Sequence, residues 1–382
     1  MRLIATSLVC DEIRERLPDI VTALYKKIPA GVGSSGAVRR LSQQDQKRVL
    51  EKGAGWAVES GFGSAQHLAY TEEGGCLAGA DSEAVSARAK ERGATQIGTL
   101  GSGNHFLEVD LIEEVFDEEA AEAFGLRCGR IAIFIHCGSR GLGYQVCDDY
   151  LQVMGKAMRK YAIDVPDRQL ACAPLESSEA HGYLSAMAGA ANYAWANRQV
   201  IMALAEQALM ETLNISPSSL GFRLVYDVCH NIAKFEEHCV EGRPQVLCVH
   251  RKGATRAFPP ESQLIPEAYR QVGQPVLIPG DMGTGSYVLA GTQRAMEETF
   301  GSSCHGAGRV KSRTQALKQC QGRDLFGEMR ERGVTLMATG RRTVAEEMPE
   351  AYKNIHSVVD AIERAGISTK VARLRPVGVV KG

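Results

Sequence analysis

Again and again in this chain a short apolar run ends at glycine. GTLGSGNHFLEVD (98–110) is a glycine loop running into a strand-like stretch, RIAIFIH ends at His136 just before Cys-Gly-Ser-Arg-Gly, and QPVLIPG ends at Gly280. The 40 glycines in 382 residues exceed what an average usage of roughly 7% supplies. Such a chain folds into short buried strands whose last side chains are delivered to an exposed rim. Glycine there lets a ligand or phosphate approach backbone N–H groups.

Between these runs the apolar spacing predicts helices over 11–28, 42–61, 145–163, 181–213, 314–332 and 345–365. The first hundred residues therefore read as mostly helical. GFRLVYDVCH, PQVLCVHR and the terminal KVARLRPVGVVKG read as strands. The length corresponds to two or three domains or one elaborate one. With no repeat, low-complexity tract or Pro/Ser linker at which to divide it, residues 1–382 are expected to form one α+β unit. Its long helices would pack around a mixed sheet.

Lys+Arg 44 against Asp+Glu 45 gives a formal net charge of −1, which excludes a global basic field as the means of holding nucleic acid. Any polyanion must be held by a local patch. The opening residues lack a signal-peptide pattern and no run of 18 apolar residues occurs, so the expectation is a soluble, cytoplasmic protein without a membrane partner. Eleven cysteines are scattered without a CxxC pair, which favours reduced thiols over disulfides or a zinc ribbon.

Four of the nine histidines, His105, His136, His230 and His305, stand in glycine-bearing segments beside apolar runs. Three of them adjoin a cysteine, and neighbours on an extended backbone point to opposite faces. The histidines are thus assigned to a site and Cys137, Cys229 and Cys304 to packing. A lone imidazole in such a place is ordinarily a satisfied core residue; four in one local context point to shared chemistry. No GxxxxGK[ST] loop and no Lys-x-Asp-Gly nucleophile motif occurs.

In order and spacing, GTLGSGNHFLEV, HCGSRGLG, CHNIAKFEEH, RKGATRA, PGDMGTGSYV, SCHGAGRVKSR, MPEAYKNI and the final VKG resemble the RtcB family of GTP-dependent RNA-splicing ligases, across Met1 to Gly382. The resemblance implies an enzyme of tRNA splicing or RNA repair. Such an enzyme joins an RNA 3′-phosphate, or a 2′,3′-cyclic phosphate after opening, to a 5′-hydroxyl. By that resemblance His305 attacks the α-phosphate of GTP and carries GMP, while His105, His136 and His230 hold two manganese ions. From ligand type alone zinc is the rival metal.

The same resemblance puts Asn104, Glu108, His230, Asn231, Pro279, Asp281, Met282, Ser286, His305, Gly306, Ala307, Gly308, Arg309, Tyr352 and Lys381 around GTP. Glu108 offers acceptors to guanine N–H groups, Ser286 and Lys381 reach the base edge or sugar, and Tyr352 packs on the base. Arg309 offers a fork for phosphate oxygens. Arg140, Lys252 and Arg313 are the leading candidates for an RNA phosphate track, with Arg256 and Lys311 in the same glycine-rich segments. Some relatives use an archease-type activator.

The family also carries an upstream DxGCG motif whose Asp and Cys complete the manganese site. This sequence starts near where that motif would end, so an N-terminally incomplete chain is expected. The alternative function is then an inactive RNA- or GTP-binding remnant with a deficient metal site. A metal-dependent phosphoesterase is a third reading. Asp281 stands where many relatives have a small hydroxyl residue.

Overall fold

A computed structural model describes residues 1–31 and 33–382, with Arg168 described by its backbone alone. Its centre is an eight-stranded sheet built from β1 (Arg2–Val9), β2 (Phe106–Val115), β3 (Arg130–His136), β4 (Arg223–Asp227), β8 (Pro275–Ile278), β9 (Ser286–Gly291), β11 (Thr335–Ala338) and β12 (Ser368–Lys381). The order is β4-β1-β3-β2-β12-β9-β8, antiparallel throughout, and β11 adds to β12 in parallel. Two small two-stranded sheets stand apart: the hairpin β5 (Asn231–Val240) with β6 (Arg243–Lys252), and β7 (Ala254–Arg256) with β10 (Ser302–Cys304).

Both faces of the large sheet are covered, which is why β3 reads as an unbroken apolar run rather than an alternating one. Ile131, Ile133 and Ile135 pack on one side with Ile201, Met202 and Leu209 of the helix Ser178–Leu213. Ala132 and Phe134 pack on the other with Phe106, Val225 and Val288. His136 continues the Phe134 side, and its ring meets Phe106 edge-on at 5.3 Å. On β2 the same alternation puts Glu108 and Asp110 on the Phe106 face.

The mixed α+β architecture with long helices around a sheet is as expected, but three local readings are corrected. Residues 2–9 form a strand paired with β3 and β4, whereas the first hundred residues read as mostly helical; a partner on each side outweighs the helical neighbourhood. The 314–332 helix divides into Arg313–Gln319 and Leu325–Glu331 around Gly322, whose φ is +79°. The 345–365 helix divides at Pro349, which cannot supply the amide a continuing helix needs.

The Ser178–Leu213 helix starts from Ser177, whose side chain accepts from the Ala180 amide. It is buried nearly all round between Ala186 and Met202, and it carries Asn192, Asn197, Arg198 and Gln199 into that interior. Arg198 and Arg2 both clamp Asp227 at the end of β4, with contacts of 2.6 Å each. Burial opposes the Asp227 charge, yet the two guanidiniums hold its pKa down at about 2. Among the described residues every cysteine is a free thiol and no helix is long and apolar enough to cross a membrane.

Candidate active site

The strand ends converge. His105 follows the glycine loop into β2, His136 ends β3, His230 precedes β5 and His305 follows β10. Their rings form a chain: His105 to His136 at 5.8 Å, His136 to His230 at 5.1 Å, and His230 stacked on His305 at 4.8 Å with 13° between planes. Burial holds all four below the usual imidazole range, His105 to about 3. They are neutral at pH 7, each with one unprotonated ring nitrogen.

His305 borders a cavity of about 280 Å³ shared with Asn104, Glu108, His136, Asp281, Arg309 and Lys381. The turn at Gly253 lies against its ring, and a neutral imidazole keeps one ring nitrogen unprotonated. Gly253 has φ +71°, which favours glycine, and a Cβ there would stand at ordinary contact distance, 3.4 Å, from the imidazole. Cys304, beside His305, is pushed up to about 11 by burial and stays a thiol.

Of the residues expected around a nucleotide, the cavity wall brings together Asn104, Glu108, Pro279, Asp281, Met282, His305 to Arg309, Tyr352 and Lys381. Ser286 stands behind it, accepting from the Gly280 amide at 3.2 Å and so supporting the Pro279–Gly280 turn. Asn231 is exposed at the start of β5, opposite Lys252. Asp281 accepts from the Gly283 amide at 2.9 Å, which gives its carboxylate a structural partner in its own turn.

Arg309 is less free than its place after His-Gly-Ala-Gly suggests. It donates to Glu347, to the Tyr352 hydroxyl, and to the carbonyls of Glu346 and Lys311, while its guanidinium lies 5.1 Å from the Tyr352 ring centre. Most of its fork therefore holds the wall rather than facing a ligand. Sequence reasoning missed Glu347, which is buried and joins Arg309, Arg313 and Tyr352. Nothing in VAEEMPE distinguishes it locally from a solvated helix acid. Phe106 and Gly280 also line the cavity and were likewise missed.

At the floor, Glu108 and the fully buried Asp110 are both raised, chiefly by burial, Asp110 to about 8. Neither Asp110 oxygen has a hydrogen-bond partner. Burial likewise lowers Lys381, whose Nζ sits 5.9 Å from the Phe106 ring centre.

The basic residues separate. Arg313 lines the cavity and a second groove with Ser102, Gly103 and Arg342, and Lys252 is exposed beside the site. Arg256 is corrected as a track residue: it is buried, donating to Gln274, Tyr226 and Glu73, so its charge serves the interior. Lys311 is half-buried and bonded to Gln319. Arg140 Nη1 lies 2.9 Å from His105 Nδ1; a guanidinium only donates, so that nitrogen accepts. A Cβ at Gly101 would lie 1.7 Å from the same guanidinium, so the glycine loop is shaped around Arg140.

As a metal site, the donor chemistry fits a borderline divalent ion: neutral imidazoles, with His136 Nε2 buried and without a partner. Among the described residues no three His, Cys, Asp or Glu side chains already meet at one ligating point.

Comparison with known proteins accounts for the whole chain. The family model described as tRNA-splicing ligase RtcB matches residues 1–382. Proteins named tRNA-splicing ligase RtcB from Archaeoglobus fulgidus and Methanocaldococcus jannaschii are each 51% identical over 382 residues, and one from Thermococcus kodakarensis is 52% identical over 383. Each covers 100% of this chain, which spans 79%, 39% and 79% of their respective lengths. A chain matched from end to end by that model, and half identical to such relatives, belongs to the RtcB family.

Proposed function

We propose that this chain is an RNA ligase of tRNA splicing, working through His305. The observation that carries the reading is the neutral His305 ring, stacked on His230 at the edge of a polar cavity lined by Asn104, Glu108, Arg309 and Lys381. Relatives named tRNA-splicing ligases supply the substrate class.

In the proposed reaction the free His305 nitrogen attacks the α-phosphorus of GTP. An N–P bond forms, the bond to pyrophosphate breaks, and pyrophosphate leaves. An oxygen of the RNA 3′-phosphate then displaces the imidazole, so that GMP caps that end. Finally the 5′-hydroxyl oxygen attacks the 3′-phosphate phosphorus, GMP departs and the hydroxyl proton goes to solvent. Covalent catalysis of this kind converts an end too poor to react into one with a good leaving group.

The chain's own groups have distinct parts. Glu108 accepts guanine N–H groups and Lys381 balances its charge at the cavity floor. Tyr352, fixed by Glu347 and Arg309, gives the base a rigid face. Arg140, Lys252 and Arg313 supply phosphate contacts for RNA. His105, His136 and His230 would hold manganese, which when bound neutralises phosphate charge.

Incubating the chain with α-labelled GTP and Mn²⁺ should leave label on protein, stable to base, lost in acid and absent from His305→Ala. Absence of label overturns the proposal. GTP binding that ignores both Mn²⁺ and EDTA would instead support a non-catalytic binding remnant, and release of phosphate from RNA ends without GTP a phosphoesterase.

A further inference from the structure

The histidine segments meet the interior through two consecutive side chains of one helix. Asn197 Oδ1 accepts from the amides of Gly98 and Thr99 at 2.7 and 3.3 Å, and its Nδ2 donates to the carbonyls of Thr99 and Gly138 at 3.1 Å each. One amide thus joins the loop leading to His105 to the turn leaving His136. Cys137 Sγ reinforces the junction, lying 3.2 Å from Asn197 Nδ2 and donating to Thr99 and Leu100 carbonyls at 3.2 and 3.0 Å.

Arg198 makes the matching link on the other side. Its Nη1 donates to the Cys137 carbonyl at 2.9 Å, while Nε and Nη2 grip Asp227 three residues before His230, and Nη2 lies 3.9 Å from Cys229 Sγ. All three links are buried. A polar side chain there is costly unless its bonds are complete, and these bonds go to backbone ahead of His105 and just after His136, and to the Asp227 carboxylate three residues before His230. Apolar residues would satisfy the packing of an Ala-rich helix, so packing alone does not explain this pair.

We infer that Asn197 and Arg198 are positioning residues that set the relative placement of His105, His136 and His230, and thereby the grip of the site on a divalent cation. The inference rests on the proposed function only in taking those histidines as the cation-holding set. Outer groups that orient ligating side chains typically alter metal affinity by about 10–100-fold when removed. These two bond to the chain around the ligands rather than to their rings, so they shift the ligand frame as a whole and leave the contact between His305 and Gly253 in place.

The test is Mn²⁺ binding measured by electron paramagnetic resonance on the parent, Asn197→Ala, Arg198→Lys and the milder Cys137→Ala, with thermal unfolding recorded for each. A folded variant should bind Mn²⁺ about 10–100-fold more weakly, and its GTP labelling should recover when Mn²⁺ is raised. Parent-like Mn²⁺ affinity in whichever variants fold overturns the inference, as does labelling lost equally at every Mn²⁺ concentration, which marks a merely structural role. A parent that binds Mn²⁺ without taking label defeats the proposed function and leaves this inference standing. A parent that binds no Mn²⁺ overturns the inference, whatever the labelling shows.

Discussion

The two walls of the cavity solve the same problem in opposite ways. On the histidine wall the rings are kept neutral by burial, and much of their support comes through the main chain from Asn197 and Arg198. On the facing wall Arg309, Glu347, Tyr352 and Arg313 spend their side-chain bonds on one another. Support from behind leaves His136 Nε2 without a partner; side-chain pairing gives a fixed charged surface. The contrast separates a wall that reacts from one that shapes.

The largest expected effect is on the reacting wall: His305→Ala abolishes protein-bound label from GTP while circular dichroism and the unfolding midpoint stay near the parent. Label retained in that variant would put the nucleophile elsewhere.

Next comes the support behind it. Asp227→Ala strands two buried guanidiniums and should cost about 3–5 kcal/mol in denaturant unfolding. The Asp227 pKa is depressed, so its contribution is complete above the ordinary Asp value of about 3.9 and is lost as pH falls through about 2. The variant should therefore lack part of the parent's acid-induced loss of stability; an unchanged acid profile would remove Asp227 from the account.

The floor is predicted to respond with the opposite sign. Asp110 is raised, so between its unfolded value near 3.9 and about 8 the unfolded chain gives up a proton that the folded chain keeps. Stability falls as pH rises through that window, by at most about 1.4 kcal/mol per unit. Asp110→Asn should flatten the slope, gaining most relative to the parent near pH 8. A parallel shift at all pH values would show that the carboxyl does not titrate there.

Arg313→Ala on the shaping wall is the smallest. Its side chain is 56% exposed, so unfolding should move by no more than about 0.5 kcal/mol. RNA affinity should fall, with the salt dependence of binding reduced by about one phosphate contact. An unchanged salt slope would take Arg313 off the RNA track.

Much of the reacting wall was legible in sequence because its histidines stand at the ends of strand-like or glycine-bearing segments, a pattern that local backbone geometry imposes. Its supports were not. Asn197 and Arg198 lie inside an Ala-rich helical pattern where nothing local distinguishes a buried amide from a solvated one; only the loops arriving from residues 98, 137 and 227 give them partners. Glu347 was hidden for the same reason, and β1 was hidden because strand pairing with residues 130–135 and 223–227 is invisible from positions 2–9. Arg256 failed in the other direction: four residues from Lys252 in RKGATR, it turns inward while Lys252 stays outside.

The place of β12 in the sheet order has a consequence for synthesis. Residues 368–381 lie between β2 and β9 and carry Lys381 to the cavity floor. While the ribosome is still making that stretch, the nascent polypeptide exposes two unpaired strand edges made long before. Those edges are a period of vulnerability for a chaperone to cover, and a nucleotide has no finished floor to bind until it ends.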